Sequence, residues 1–206
     1  MKSRISGVLI AFAIVSSSAF GDSYGAFQTK RFYSQNRRFF VEVRENKRAV
    51  LYRNGRRLRK LWQRDLSDFP RKLMVTNDGT AIAIVDFYYG NNCRPDAPIL
   101  MLFGPGGKEL SRYLLRDIAD LSRTIRTISM CYWYSDVKFA PDGKSLIVQS
   151  IVAKHDRSEC RSRNAHSSRD EAEKMLEICL STKPYQNLVF DMANGSLVSR
   201  EKVAVN

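Results

Sequence analysis

The feature that most constrains this 206-residue chain is a phrase that recurs three times: strand, tight turn, strand, loop, strand, glycine turn, strand. In the first copy Phe39, Val41 and Val43 alternate on one face, Glu45-Asn46-Lys47 turns, Arg48–Arg53 returns, and Asn54-Gly55 leads into 56–62. Asn-Gly between two such runs is a strong hairpin signal, because a type I′ turn needs positive φ at both central residues. The second copy runs 73–76, Asn77-Asp78-Gly79, 80–87, a loop, Pro98–Phe103, Gly104-Pro105-Gly106-Gly107, then 108–115. The third runs 136–139, Ala140-Pro141-Asp142-Gly143, 144–152, an insertion, 188–191, Asn194-Gly195, then 196–203. The middle strands, 81–85 and 146–148, are apolar at consecutive positions, as a sheet covered on both faces requires. Four-stranded meanders stacked face to face give that cover. The fold expected is all-β and propeller-like, with about three blades and one short helix in an insertion.

The segment Val137-Lys138-Phe139-Ala140-Pro141-Asp142-Gly143-Lys144-Ser145-Leu146-Ile147-Val148 resembles the blade opening of WD40-like bacterial propellers, including TolB-type repeats. Val75-Thr76-Asn77-Asp78-Gly79 with 99–110 resembles another such blade. The resemblance covers 70–200 in pieces and implies a binding platform rather than a particular activity. It lacks the Gly-His and Trp-Asp dipeptides, and three blades fall short of the 4–8 of closed propellers. Either the ring stays open, or a homodimer completes it, or the fold is a smaller sandwich.

Two insertions interrupt the repeats. The first, 114–134, opens with a helical pattern over 116–128 and ends in Tyr132-Trp133-Tyr134. The second, 154–185, carries the capping box Ser168-Arg169-Asp170-Glu171, with Ala172, Met175, Leu176 and Cys179 on one helical face, so a helix is expected over 168–180.

Residues 1–21 have the order of a signal peptide: Lys2 and Arg4, the apolar stretch 7–15, then small residues, with cleavage after Gly21 or Ala19. The remainder, 22–206, is expected to be one domain without a membrane span, periplasmic or secreted. Export favours oxidation of Cys93, Cys131, Cys160 and Cys179. Three pairings are possible; the placement favours Cys160 with Cys179 and Cys93 with Cys131.

The charge is concentrated. Within 30–64, thirteen Lys and Arg face only Glu42 and Glu45, so this window carries +11 of the chain's formal +13. Such a field attracts polyanions and anionic surfaces, at rates that fall with salt. Arg53, Arg56, Arg57, Arg59, Lys60 and Arg64 are the candidate basic binding face, for an anionic envelope polymer or an acidic protein rather than nucleic acid. A second candidate is the aromatic pair of loops that a Cys93–Cys131 bond draws together: Tyr88, Tyr89, Arg94, Tyr132, Trp133 and Tyr134. Trp133 and two of the tyrosines have a competing role as inter-blade core.

Catalytic signatures are weak. His155 and His166 with Cys160 and Cys179 match no compact metal spacing, so neither metal nor cofactor is expected. No nucleophile elbow is present. Asp86 and Asp136 could form a glycosidase-like pair, but surface or turn-capping roles are commoner. The expected function is a non-enzymatic, exported binding module; the alternatives are an inhibitor or immunity-type protein and an envelope hydrolase using carboxylates.

Overall fold

The computed structural model describes residues 27–87, 93–126, 131–153 and 182–203. The leader, Tyr88, Tyr89, both histidines, Cys160, Cys179 and the helix expected over 168–180 lie outside the described residues. A first sheet contains β1 (Lys30–Tyr33), β2 (Phe39–Val43), β3 (Arg48–Arg53) and β4 (Arg59–Asp65), and a second contains β5 (Pro70–Val75), β6 (Ile82–Phe87), β7 (Pro98–Phe103) and β8 (Glu109–Leu114). A helical turn, α1 (Leu115–Ile118), and a two-strand ladder of β9 (Ile125–Arg126) with β10 (Cys131–Tyr132) follow. The third sheet contains β11 (Tyr134–Phe139), β12 (Ser145–Ala153), β13 (Thr182–Asp191) and β14 (Leu197–Lys202). Within each four-stranded sheet, neighbouring strands are consecutive and antiparallel.

Two cores lie between the three sheets. Phe39, Val41, Leu51 and Trp62 of the first sheet pack with Ile82, Ile84, Met101 and Phe103 of the second. Ala83, Val85, Leu100 and Leu102, from the opposite face of the second sheet, pack with Val137, Leu146, Val148, Leu188 and Phe190 of the third. The unbroken apolar run of β6 is therefore explained: alternate residues serve different cores. Among the described residues the blades form an open stack, not a closed ring.

Each blade opens with the same turn. Its first residue and the residue five on are joined by a backbone bond: Ser34 N to Phe39 O, Thr76 N to Ala81 O, and Ala140 N to Ser145 O. A side-chain acceptor then caps the turn: Asn36 takes the Arg38 amide, Asp78 the Thr80 amide and Asp142 the Lys144 amide. The next residue is left-handed in all three blades: Gly79 at φ +70 and Gly143 at φ +68, but Arg37 at φ +55 in the first. With Arg37 in the place of glycine, β1 is invisible to a search for Gly turns, and the sequence-based expectation accordingly omitted that strand.

The fourth strands share a second device. Each bulges near its start, at Leu61, Leu110 or Val198, between the register pairs Tyr52↔Lys60 and Leu51↔Trp62, Phe103↔Glu109 and Leu102↔Ser111, Phe190↔Leu197 and Val189↔Ser199. The next blade's turn locks onto that strand. Gly107 approaches Trp62 so closely that a Cβ would meet its ring at 3.0 Å, and a Cβ on Gly195 would meet Leu110 at 2.8 Å.

Three expectations need correction. The helix drawn over 116–128 stops at Ile118, because the Asp120 side chain accepts from the Ser122 amide and Thr124 Oγ1 donates to the Asp120 carbonyl, turning the chain into β9. The Asn54-Gly55 hairpin is not a two-residue turn: Arg53 pairs with Arg59, and Asn54 is held instead by the Arg38 and Arg37 carbonyls. Strand β13 begins at Thr182, inside the segment assigned to the insertion.

Candidate functional site

The basic face resolves into a cluster at one end of the first sheet. Phe39 pairs with Arg53, and Arg53 with Arg59, so these rows bring the ends of three strands together. Arg37 and Arg38 precede Phe39 on the β1–β2 turn, and Asn54 ties that turn to the β3–β4 loop that carries Arg56 and Arg57. Arg37, Arg38, Arg53, Arg56, Arg57, Arg59 and Lys60 are all exposed, and none lies within ion-pair distance of a carboxylate among the described residues. Lys60 donates to Gln63, which leaves its charge uncompensated. Seven such cations on adjoining turns and strand ends repel one another, at a cost that an anionic partner removes.

Arg37 is the distinctive member. Left-handed backbone costs an L-residue about 1–2 kcal/mol, and the other two blades avoid that cost with glycine at the same turn position. Arg37 and Arg38 fall within the basic window 30–64 but outside the six residues singled out from sequence as the binding face. The signal that finds them is the turn equivalence with Gly79 and Gly143.

Arg64 does not belong to this cluster. Its Nη1 donates to the Gly107 carbonyl at 2.8 Å, its guanidinium lies 4.3 Å from the Phe103 ring centroid, and Glu109 stands 3.7 Å away. It is a joint between blades, since its partners all come from the second sheet.

The aromatic loops lie at the opposite end of the strands. Cys93 and Cys131 form a disulfide with Cα atoms 5.1 Å apart, both buried in the core between the second and third sheets. Trp133 is fully buried in that core, so it packs rather than binds. Tyr132 is 38% exposed, and Arg94 is exposed and pairs with Asp96 at 3.6 Å. Tyr134 is partly buried: burial, reinforced by the Asp86 charge and opposed by Arg71, pushes its hydroxyl up to about 12.

The two candidate carboxylates are separated. Asp86, at a left-handed φ of +66, is buried beneath Arg71, whose Nη1 donates to it at 3.0 Å; it is not a surface residue. Asp136 is exposed on the side of the third sheet that faces away from the second. A sheet stands between them, which a paired acid–base mechanism does not tolerate.

A cleft of about 440 Å³ runs where the first strands β1, β5 and β11 adjoin, lined by Tyr33, Gln35, Met74, Val137, Lys138 and Phe139 among others. Lys72 of β5 donates to the carbonyl of Val137, one of the lining residues, at 3.4 Å. Among the described residues no three His, Cys, Asp or Glu side chains gather as metal ligands, and no helix is long and apolar enough to cross a membrane.

No family model matches the chain, and no curated protein matches it. Among solved structures it is similar to the hydrazine synthase of Kuenenia stuttgartiensis, at 12% identity and a TM-score of 0.40, over 84% of this chain and 36% of that one. The chain therefore spans about a third of that structure's length.

Proposed function

We propose that this protein is a non-enzymatic binding module that takes an extended polyanion, an acidic envelope polymer, on the cation cluster at the turn end of the first blade. The observation that carries the reading is Arg37, an arginine kept in a strained turn position where the sister blades use glycine, among six other cations without carboxylate partners among the described residues. Strain kept at an exposed arginine with no carboxylate beside it among the described residues supports a contact role; Lys47, also left-handed at φ +62, is by contrast tied to Ser67 and Asp68. The basic leader pattern of 1–21 and the Cys93–Cys131 bond support an exported, periplasmic or secreted setting. The blade resemblance to TolB-type repeats supports the same role as a platform.

The test is Arg37→Gly, with lipopolysaccharide and polygalacturonate immobilised as probes. Restoring glycine relieves the strain, so unfolding in urea should need about 1 kcal/mol more. Losing one cation near an anionic surface should weaken binding about fivefold, roughly 1 kcal/mol, and Arg53→Ala about equally. Binding should also fall with rising salt. Unchanged affinity for both probes in Arg37→Gly and Arg53→Ala would refute the proposal.

A further inference from the structure

Each joint between blades has two halves: the turn that precedes one blade's fourth strand, and the bulge on the preceding blade's fourth strand. At the first joint Gly107 sits on Trp62, and its carbonyl accepts from Arg64. At the second Gly195 sits on Leu110 and Ser111, and its carbonyl accepts from Ser111 Oγ at 2.6 Å and the Tyr113 hydroxyl at 2.8 Å. Counting back from the bulges, Leu58 occupies the position of Gly107 and Gly195, and Val198 that of Leu61 and Leu110. Among the described residues the stack thus ends with an unused turn half in the first blade and an unused bulge half in the third. Leu58, 56% exposed, and Val198, 63% exposed, are the two most exposed large apolar side chains among the described residues.

We propose that a second copy of this chain closes the stack, with Leu58 of each chain seated on Val198 and Ser199 of the other. Two such joints related by a twofold axis give six blades, inside the range of 4–8 found in closed propellers. The end faces are also complementary in charge. The free face of the first sheet presents Arg31, Arg44 and Lys60 around Glu42, and that of the third presents Asp136 and Glu201 with Lys138. Ser199 is the register equivalent of Ser111, so its hydroxyl stands where the internal joint places its donor; in the single chain it donates to Glu201 at 3.2 Å. The internal joints need glycine because backbone meets side chain closely. Leucine suits a joint between polar faces that stand further apart, and such a joint is reversible and weakened by salt.

The experiment is light scattering and sedimentation velocity on the full chain, over a concentration series at low and high salt. The expected mass is that of two chains at low salt, shifting toward one at high salt. Leu58→Lys and Val198→Glu should each give a single chain whose unfolding curve matches that of the unaltered chain at high salt, where it is also single, and the two together should restore the pair. A single chain throughout, polymers that lengthen with concentration, or a pair indifferent to both variants would overturn the proposal. Val198 lies on the third sheet, away from the cation cluster, so loss of pairing in Val198→Glu with polyanion binding intact leaves the proposed function standing.

Discussion

Replacing Gly195 by alanine tests whether the blades are held by the close approach of turn to strand. Gly195 lies at φ +79, where an L-residue costs about 1–2 kcal/mol. Its added Cβ would stand 2.6 Å from Ser111 Oγ and 2.8 Å from Leu110 Cβ. Relieving that contact moves the turn off the strand or pushes β8 aside, and overpacking of this kind costs roughly 1–3 kcal/mol. The same shift stretches the two bonds that the Gly195 carbonyl accepts. Gly143 is the control, since it is left-handed at φ +68 but has nothing within 4 Å of its Cβ position. Gly143→Ala should therefore lose only the backbone contribution, about 1–2 kcal/mol, and Gly195→Ala about 2–5 kcal/mol in all. Urea unfolding followed by fluorescence of Trp62 and Trp133 reads both, provided the denaturant slope is unchanged. For a chain of this size the difference of about 1–3 kcal/mol corresponds to roughly 2–12 °C in Tm. Equal losses in the two variants would mean that the joint does not depend on close approach, and the reasoning would fail.

Two further outcomes are expected. Cys93 and Cys131 are 38 residues apart, so in the chain-entropy account their bond contributes about 4 kcal/mol by restricting the unfolded chain; Cys93→Ala with Cys131→Ala should lose stability of that order in urea, and an unchanged midpoint would contradict it. Tyr134 is held protonated by burial, up to about 12 against an ordinary value near 10. The folded state thus keeps a proton that the unfolded state releases, so the associated stability is whole below about pH 10 and is lost as pH rises through 12. Absorbance titration of phenolate should contain a late step that Tyr134→Phe removes; a superimposable titration would count against the burial argument.

The blades were legible in the sequence wherever local chemistry and final structure agree. Asp78-Gly79 and Asp142-Gly143 announce their turns because the carboxylate caps the next amide but one and glycine takes the left-handed position. The consecutive apolar residues of β6 announced a sheet packed on both faces. The first blade was read incompletely because Arg37 hides the same turn, so β1 and the centre of the cation cluster were missed together. Arg64 is assigned to binding from sequence, and Trp133 is left between binding and core, because residue type alone does not separate a hot-spot arginine or tryptophan from one that fills a joint or a core. Their partners, Gly107 and the core around Leu100, are distant in sequence. Of the surface or capping roles expected for Asp86, the structure bears out capping, since its Oδ1 accepts from the Phe87 amide, and overturns the surface placement, because its burial comes from the fold and its charge partner Arg71 is fifteen residues away.

The placement of the two candidate surfaces limits what the protein can hold. The cation cluster sits at the turn end of the first blade, where β2 begins and β3 ends, while the disulfide and the loop aromatics sit at the far end of β6 and beyond α1. A strand of six residues measures about 20 Å, so no small anion reaches from one end to the other. A ligand that met both Arg53 and Tyr132 would have to be a chain, laid along the flank of the blades or across a second copy. On the proposed function, the cluster alone carries the charge that an anionic partner meets, and Tyr132 is the exposed loop aromatic among the described residues that a longer partner would reach. A compact acidic protein would meet the cluster without reaching Tyr132, so equal loss of polymer binding in Arg53→Ala and Tyr132→Ala would favour the longer partner.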